Sequence, residues 1–329
     1  MPTTKILRSV LSVAALSYIS SISHAGEGDR VNRAAFGSTQ AAQQVVRLHI
    51  ANLQSGLGMR FGLTRSEDGR NDRAASWEDG KVTYSATPTF VTFNNDIKPL
   101  TNKGSVGVVV LGVEHFDEID TLTGLTLTVD SPSVTSREYI TSSSTLDTKV
   151  SGTGLTLAPY VARQTDDGAM IDFSAGFGFS NLSTNTAGVT STPKATRMFF
   201  SFGYTKHSEF GEKAVLTAKN VVSYSSDSVS AFTMSDNTAI AKSSSNLMQA
   251  KLQLGLSWPS DGWTPYAEGG LTVNSLGVSN SGGTNPKEHS LTHHARVGLR
   301  TMSENGYADF SVQMEKDKSR VQVYAGFRF

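Results

Sequence analysis

After Trp77 this sequence loses its helical period and alternates, apolar side chain against polar, up to its final residue, Phe329. Period two is the mark of a β-strand with one apolar face. Along 248–258, Met248, Ala250, Leu252, Leu254, Leu256 and Trp258 oppose Gln249, Lys251, Gln253, Gly255 and Ser257. Along 171–179, Ile171, Phe173, Ala175, Phe177 and Phe179 oppose Asp172, Ser174, Gly176 and Gly178. Around 308–315, Phe310, Val312 and Met314 oppose Asp309, Ser311, Gln313 and Glu315. In the closing VYAGFRF, Val323, Ala325, Phe327 and Phe329 oppose Gln322, Tyr324, Gly326 and Arg328. Such runs have the length of a tilted strand crossing a bilayer, about ten residues. Chain ends are frayed and polar unless something ties them down. An apolar, ordered terminus makes sense if the last strand pairs with the first, because an open sheet edge in lipid leaves backbone groups without partners.

About twelve such segments can be drawn, near 81–93, 104–116, 120–130, 149–164, 168–180, 195–206, 213–225, 246–258, 263–274, 289–302, 306–316 and 319–329. The second and seventh alternate less cleanly, so their registers stay open. Short connections (FDEID, TDDG, HSEFGEK, PSDG, SENG) take turns with long Ser/Thr/Asn-rich ones: NNDIKPLTNKG, SPSVTSREYITSSSTLD, NLSTNTAGVTSTPK, SSDSVSAFTMSDNTAIAKSSS and NSLGVSNSGGTNPK. Only KDKS, before the last strand, breaks the alternation. Tight periplasmic turns and longer external loops are the pattern of an outer-membrane barrel. Trp258 and Trp263 flank PSDG, where an interfacial aromatic belt would lie. The expected fold is all-β: a transmembrane antiparallel up-and-down barrel of about twelve strands over 75–329, with an N-terminal helix in or under the lumen.

Residues 1–25 read as a secretory signal, with Lys5 and Arg8 before a short apolar run from Val10 to Ile19 and then Ser23-His24-Ala25. Residues 26–74 form a short N-terminal segment. Within it, Val46, Ile50, Leu53 and Leu57 recur at helical spacing between Ser38, a candidate N-cap, and Gly56, so a helix is expected over about 38–56. A polar, charge-rich stretch follows from Thr64 to Ala75. The chain has no cysteine, so disulfides contribute nothing to its stability. Lys and Arg total 29, as do Asp and Glu, with no basic run, which argues against nucleic acid as a partner. The expected location is a Gram-negative outer membrane after signal cleavage, as a monomer among outer-membrane lipid and lipopolysaccharide.

Glycines Gly154, Gly176, Gly178, Gly203, Gly255, Gly270, Gly298 and Gly326 fall on the polar, inward face. They leave room for a helix to thread the lumen; alternatively, glycine there eases strand curvature. The same face carries Asp172, Lys251, Glu268, Arg296, Arg300, Asp309, Glu315 and Arg328. The mixed signs read as a solvated lumen laced with ion pairs, suited to a helix bearing Arg47 and His49, whereas a selective channel would show one dominant sign. His289, His293 and His294 lack a carboxylate at matching spacing, so no metal is expected. No G-x-S-x-G elbow and no Ser–His pairing stand out, and GLGMRFG (56–62) lacks the spacing and preceding strand of a dinucleotide loop. Neither an enzyme nor a cofactor is expected.

Together, TLAPYVA (Thr156–Ala162) with the following IDFSAGFGFS, WTPYAEGGL (Trp263–Leu271), HARVGLR (His294–Arg300) and the closing AGFRF resemble the translocator barrel of the bacterial autotransporters, the type V secretion family. The resemblance covers roughly 75–329. It implies a barrel that anchors or translocates N-terminal sequence at the cell surface, helped by periplasmic chaperones. It also implies a closing strand recognised by the barrel assembly machinery, a role carried here onto Tyr324, Gly326, Phe327 and Phe329. Family members carry a long passenger before the barrel, often repetitive; here only residues 26–37 precede the helix and no repeat is present. A porin-like small-solute channel and a loop-mediated surface adhesin therefore stand as alternatives.

Overall fold

The computed structural model describes residues 44–53, 57, 63–65, 71–73 and 82–328, apart from short gaps at 98–99, 117–120, 142–143, 212, 238, 261, 281–286, 304–305 and 317. Residues 1–25, where a secretory signal is expected, residues 26–43 and Phe329 lie outside the described residues. Twelve long strands form the barrel: β1 Val82–Ile97, β2 Leu100–Phe116, β3 Thr121–Thr141, β4 Ser144–Gln164, β5 Ala169–Thr186, β6 Lys194–Phe210, β7 Ala214–Val229, β8 Ser243–Ser257, β9 Trp263–Asn280, β10 Lys287–Ser303, β11 Gly306–Glu315 and β12 Lys318–Arg328. Each pairs antiparallel with its sequence neighbours. The last returns to the first, from Lys318↔Phe93 to Arg328↔Thr83, and closes the ring. Closure satisfies the backbone groups an edge would expose to lipid. Three prolines interrupt ladders because they offer no N–H. Pairing lapses opposite Pro88 in the β12–β1 seam, opposite Pro132 between β3 and β4, and opposite Pro159 between β4 and β5.

The apolar faces read from the sequence point outward. Phe173, Phe177, Phe179, Met248, Leu252, Leu254, Phe310, Met314 and Val323 are among the exposed hydrophobics, as lipid-facing positions must be. Trp258 and Trp263, 43% and 52% exposed, flank the 259–262 turn. Charge is not tolerated on this face at mid-depth: Leu252→Arg is expected to lower stability by about 2–4 kcal/mol, measured by urea unfolding in vesicles. Gln253→Arg, one step along and facing inward, serves as the contrast.

The two ambiguous registers are resolved. In β2, Val106, Val108 and Val110 face in while Val109, Leu111 and Val113 face out, so apolar residues occupy both faces. In β7, Lys219, Val221, Ser223, Ser225 and Asp227 face in, with Val222 and Tyr224 outside.

The long loops require correction. NNDIKPLTNKG and SPSVTSREYITSSSTLD are almost wholly strand, because β1 and β2 run to Ile97 and from Leu100, and β3 and β4 to Thr141 and from Ser144. The stretch 274–287 likewise continues β9 to Asn280. In 181–194, β5 continues to Thr186 and a short strand, Val189–Ser191, pairs back onto it. In 225–245, Phe232–Thr233 pairs with Ala239–Ile240. The physical reason is an inversion of polarity. Above Val129, β3 turns Ser131, Ser133, Thr135 and Arg137 outward while Val134 is buried inside. Arg137 and Asp147 form an outward ion pair at 2.8 Å. The barrel thus leaves the membrane and continues in water with its apolar side inward. The charge-rich stretch after Leu63 also holds structure, a small hairpin of Leu63–Arg65 with Asn71–Arg73.

Heights differ around the rim. β3 and β4 are 21 residues each, and β11 and β12 are 10 and 11. At about 3.3 Å per residue and a tilt near 45°, the β3–β4 hairpin stands about 25 Å above the β11–β12 turn. At the opposite end the turns are tight. Gly168 (φ 76°) and Gly211 (φ 67°) occupy left-handed positions there. In the 165–168 turn, Lys206 donates to Asp167 at 2.8 Å and holds that carboxyl down at about 2.

Candidate functional site

The lumen contains a helix, α1, over residues 44–53 with Leu57 beyond it. The flanks of the expected helix, 38–43 and 54–56, lie outside the described residues. Most of α1 is buried, which fits a helix apolar on several sides. Val45 and Leu48 join Val91, Phe93, Val106, Val108, Val110 and Val134 of β1–β3. Val46 and Ile50, one turn apart, pack on Ala158, Phe199 and Val221. Leu53 and Leu57 meet Leu122, Tyr160, Ala162 and Met170. Those contacts set its direction. The first residues lie toward the tall, loop end of the barrel, and the last lie at the turn end, where β3 and β5 begin.

Polar contacts fix its rotation. The single hydroxyl proton of Thr126 goes to the carbonyl of Ala158 (3.1 Å), so His49 Nε2 donates to Thr126 Oγ1 (3.3 Å), while Nδ1 shares a hydrogen bond with the Thr128 hydroxyl. Thr89 donates to Asn52 Oδ1 at 3.0 Å.

Around the helix the inward polar residues assort into pairs. Arg197, 2% exposed, reaches Asp130 at 2.8 Å and also bonds Ser180. Asp227 is completely buried nearby, both its oxygens lack hydrogen bonds, and the charge of Arg197 acts on it. Arg296 binds Asp309 (3.1 Å), Ser311 (2.9 Å) and Glu268 (3.4 Å). Tyr266 donates to Asp309 at 3.0 Å, with the Arg300 guanidinium over its ring at 5.5 Å. Glu315 meets Lys318 at 3.8 Å.

The glycines named from the sequence face inward, and neighbouring strands fill the space above them. A Cβ on Gly176 would strike the Phe199 ring, on Gly298 the Tyr266 ring, on Gly326 the Tyr307 ring and on Gly270 the His294 imidazole. The Asp130, Asp172 and Glu268 carboxylates lie over Gly154, Gly203 and Gly255, and Thr156 lies over Gly178. Of these side chains Phe199 in turn touches the helix, at 4.9 Å from the His49 ring. Tyr324 faces in and stacks on Tyr307 at 5.2 Å. Phe327 and Arg328 pair in the β12 ladders. His289 and His293 face outward, and no cluster of three metal-ligating side chains occurs among the described residues.

Sequence reading missed Arg197, Asp130, Asp227, Lys219 and Arg320 as lumen charges. Asp227 fell in a segment taken for loop, and Lys219 in the strand of open register.

No family model matches the chain, and no curated protein matches it by sequence. Solved structures do. The translocator domain of the autotransporter NalP from Neisseria meningitidis aligns at TM-score 0.57 with 15% identity over 85% of this chain and 98% of its own. The β-domain of the Bordetella autotransporter BrkA gives 0.55 with 16% identity over 76% and 99%. The transport unit of AIDA-I from Escherichia coli gives 0.54 with 13% over 84% and 98%. The chain is a closed β-barrel with an apolar outer face, and its fold is that of the autotransporter translocator domains.

Proposed function

We propose that this chain is an autotransporter-type barrel that anchors or translocates its own N-terminal sequence at the cell surface. The observation that carries the reading is the direction of α1. It enters the lumen at the loop end and leaves at the turn end, where β1 also begins. Chain preceding Gln44 is thereby aimed at the loop end, which is external in barrels of this kind. The polypeptide is its own cargo, so the mechanism needs a closed wall, a polar lumen and no cofactor. In the finished barrel Tyr324 and Gly326 are buried, so the proposed recognition of Tyr324, Gly326, Phe327 and Phe329 by assembly machinery precedes closure.

An epitope tag inserted after Gly26 tests this. On intact cells it is expected to bind antibody and to be cut by added protease. Detection only after the outer membrane is opened would sink the translocator reading. A second reading, surface adhesion, draws on the hairpin that rises above the membrane around residues 131–151. Shortening β3–β4 would then abolish binding of cells while leaving the barrel intact.

A further inference from the structure

The helix does not fill the lumen evenly. It packs by its apolar sides against β1–β7, while Arg47 and Ala51, one turn apart, face a cavity of about 130 Å³ lined largely by β7–β12. Such a space holds on the order of ten waters, or a small solute with part of its hydration. Six cationic side chains line it, namely Arg47, Lys219, Lys251, Arg296, Lys318 and Arg320, with Glu315 the one carboxylate among the lining residues. Glu268 and Asp309 reach Arg296 from below; counting them too leaves three positive charges in excess. The excess is local. In the smaller cavity beneath, of about 20 Å³, Glu268 and Asp309 face Lys219, Arg296 and Arg300.

Lys251 has no hydrogen-bond or ion-pair partner among the described residues, and the guanidinium of Arg320 is bonded to a neutral acceptor, Gln313. Neutral polar side chains, among them Gln249, Gln253 and Thr272, also line it. Access lies where the wall is lowest, since Glu315 and Lys318 flank the short β11–β12 turn and also line the cavity. Basic side chains in a low-dielectric recess concentrate counter-ions, and Arg/Lys groupings serve anion and phosphate pores.

We propose that this cavity is a binding site for a small oxyanion of the phosphate class, entering from the β11–β12 side while the helix remains in place. Lys251 and Arg320 supply the principal charge-assisted hydrogen bonds. The site is independent of translocation, because it is complete with the helix seated.

The test is titration of the full chain, folded in micelles at low ionic strength, with sodium phosphate in a calorimeter. One saturable site with Kd on the order of 1 mM or tighter is expected. Its affinity should fall with added salt. Lys251→Gln is expected to weaken binding about tenfold, the loss of one charge-assisted bond, and adding Arg320→Gln about tenfold again. Lys251→Arg should retain it, and Arg137→Gln, outside the barrel, should leave it unchanged. If the double variant does not fold, Lys251→Gln, which removes no bonded partner, decides. Absence of saturable binding to the folded chain, or undiminished binding by folded Lys251→Gln, would overturn the proposal.

Discussion

Replacing Arg197 by methionine is expected to lower the stability of the folded barrel by about 3–5 kcal/mol. The guanidinium is almost fully buried, its partner Asp130 has no exposed side-chain surface, and Ser180 shares the bond network. Removing the cation strands the Asp130 carboxylate in a space where protein has replaced water. It also withdraws the positive charge that acts on Asp227. The paired variant Arg197→Met/Asp130→Val should recover much of the loss, since two apolar side chains make no demand for solvation. Urea unfolding in micelles, followed by tryptophan fluorescence and by the mobility shift of unheated barrel, measures both. A single-variant cost under about 1 kcal/mol would mean that water reaches the pair and that this half of the lumen is wet.

Phe199→Ala carries a comparable penalty, about 3–5 kcal/mol. Phe199 is wholly buried, over Gly176 on one side and against Val46, His49 and Ile50 on the other. Truncation leaves a cavity between wall and helix, and neither rim can collapse easily because the wall is a hydrogen-bonded ring. The stability loss should come with faster proteolysis within residues 44–57. Adding Gly176→Val to Phe199→Ala should be tolerated better than Gly176→Val alone, because the new side chain then enters vacated space. An additive result would show that the ring does not lie over the glycine.

What the sequence disclosed depended on lipid. Where strands cross the bilayer, one face must be apolar and the other polar, and segments such as 248–258 and 171–179 announce both strand and facing. Past Val129 or Phe179 that contrast reverses. Val134, Val150, Leu182, Ala195 and Val229 point inward and serine, threonine and asparagine outward. The alternation persists, but with few large apolar residues and many hydroxyls it resembles loop composition. Asp227 was hidden for that reason. Lys219 was hidden differently, on a strand whose outward face includes Asn220 and so lacks a clean apolar stripe. The inward glycines were visible, but what covers each one depends on cross-strand register, which no single strand encodes. The direction of α1 was likewise beyond a helical period, which reports a face and not a heading.

The unequal strand lengths decide what the surroundings of the cell encounter. If the loop end faces outward as proposed, an antibody or phage arriving from outside meets a one-sided parapet, built by β3 and β4 and falling to a notch at β11–β12. Variation in a sequence under immune pressure should therefore gather on the outward serines, threonines and Arg137 of the parapet and spare the notch.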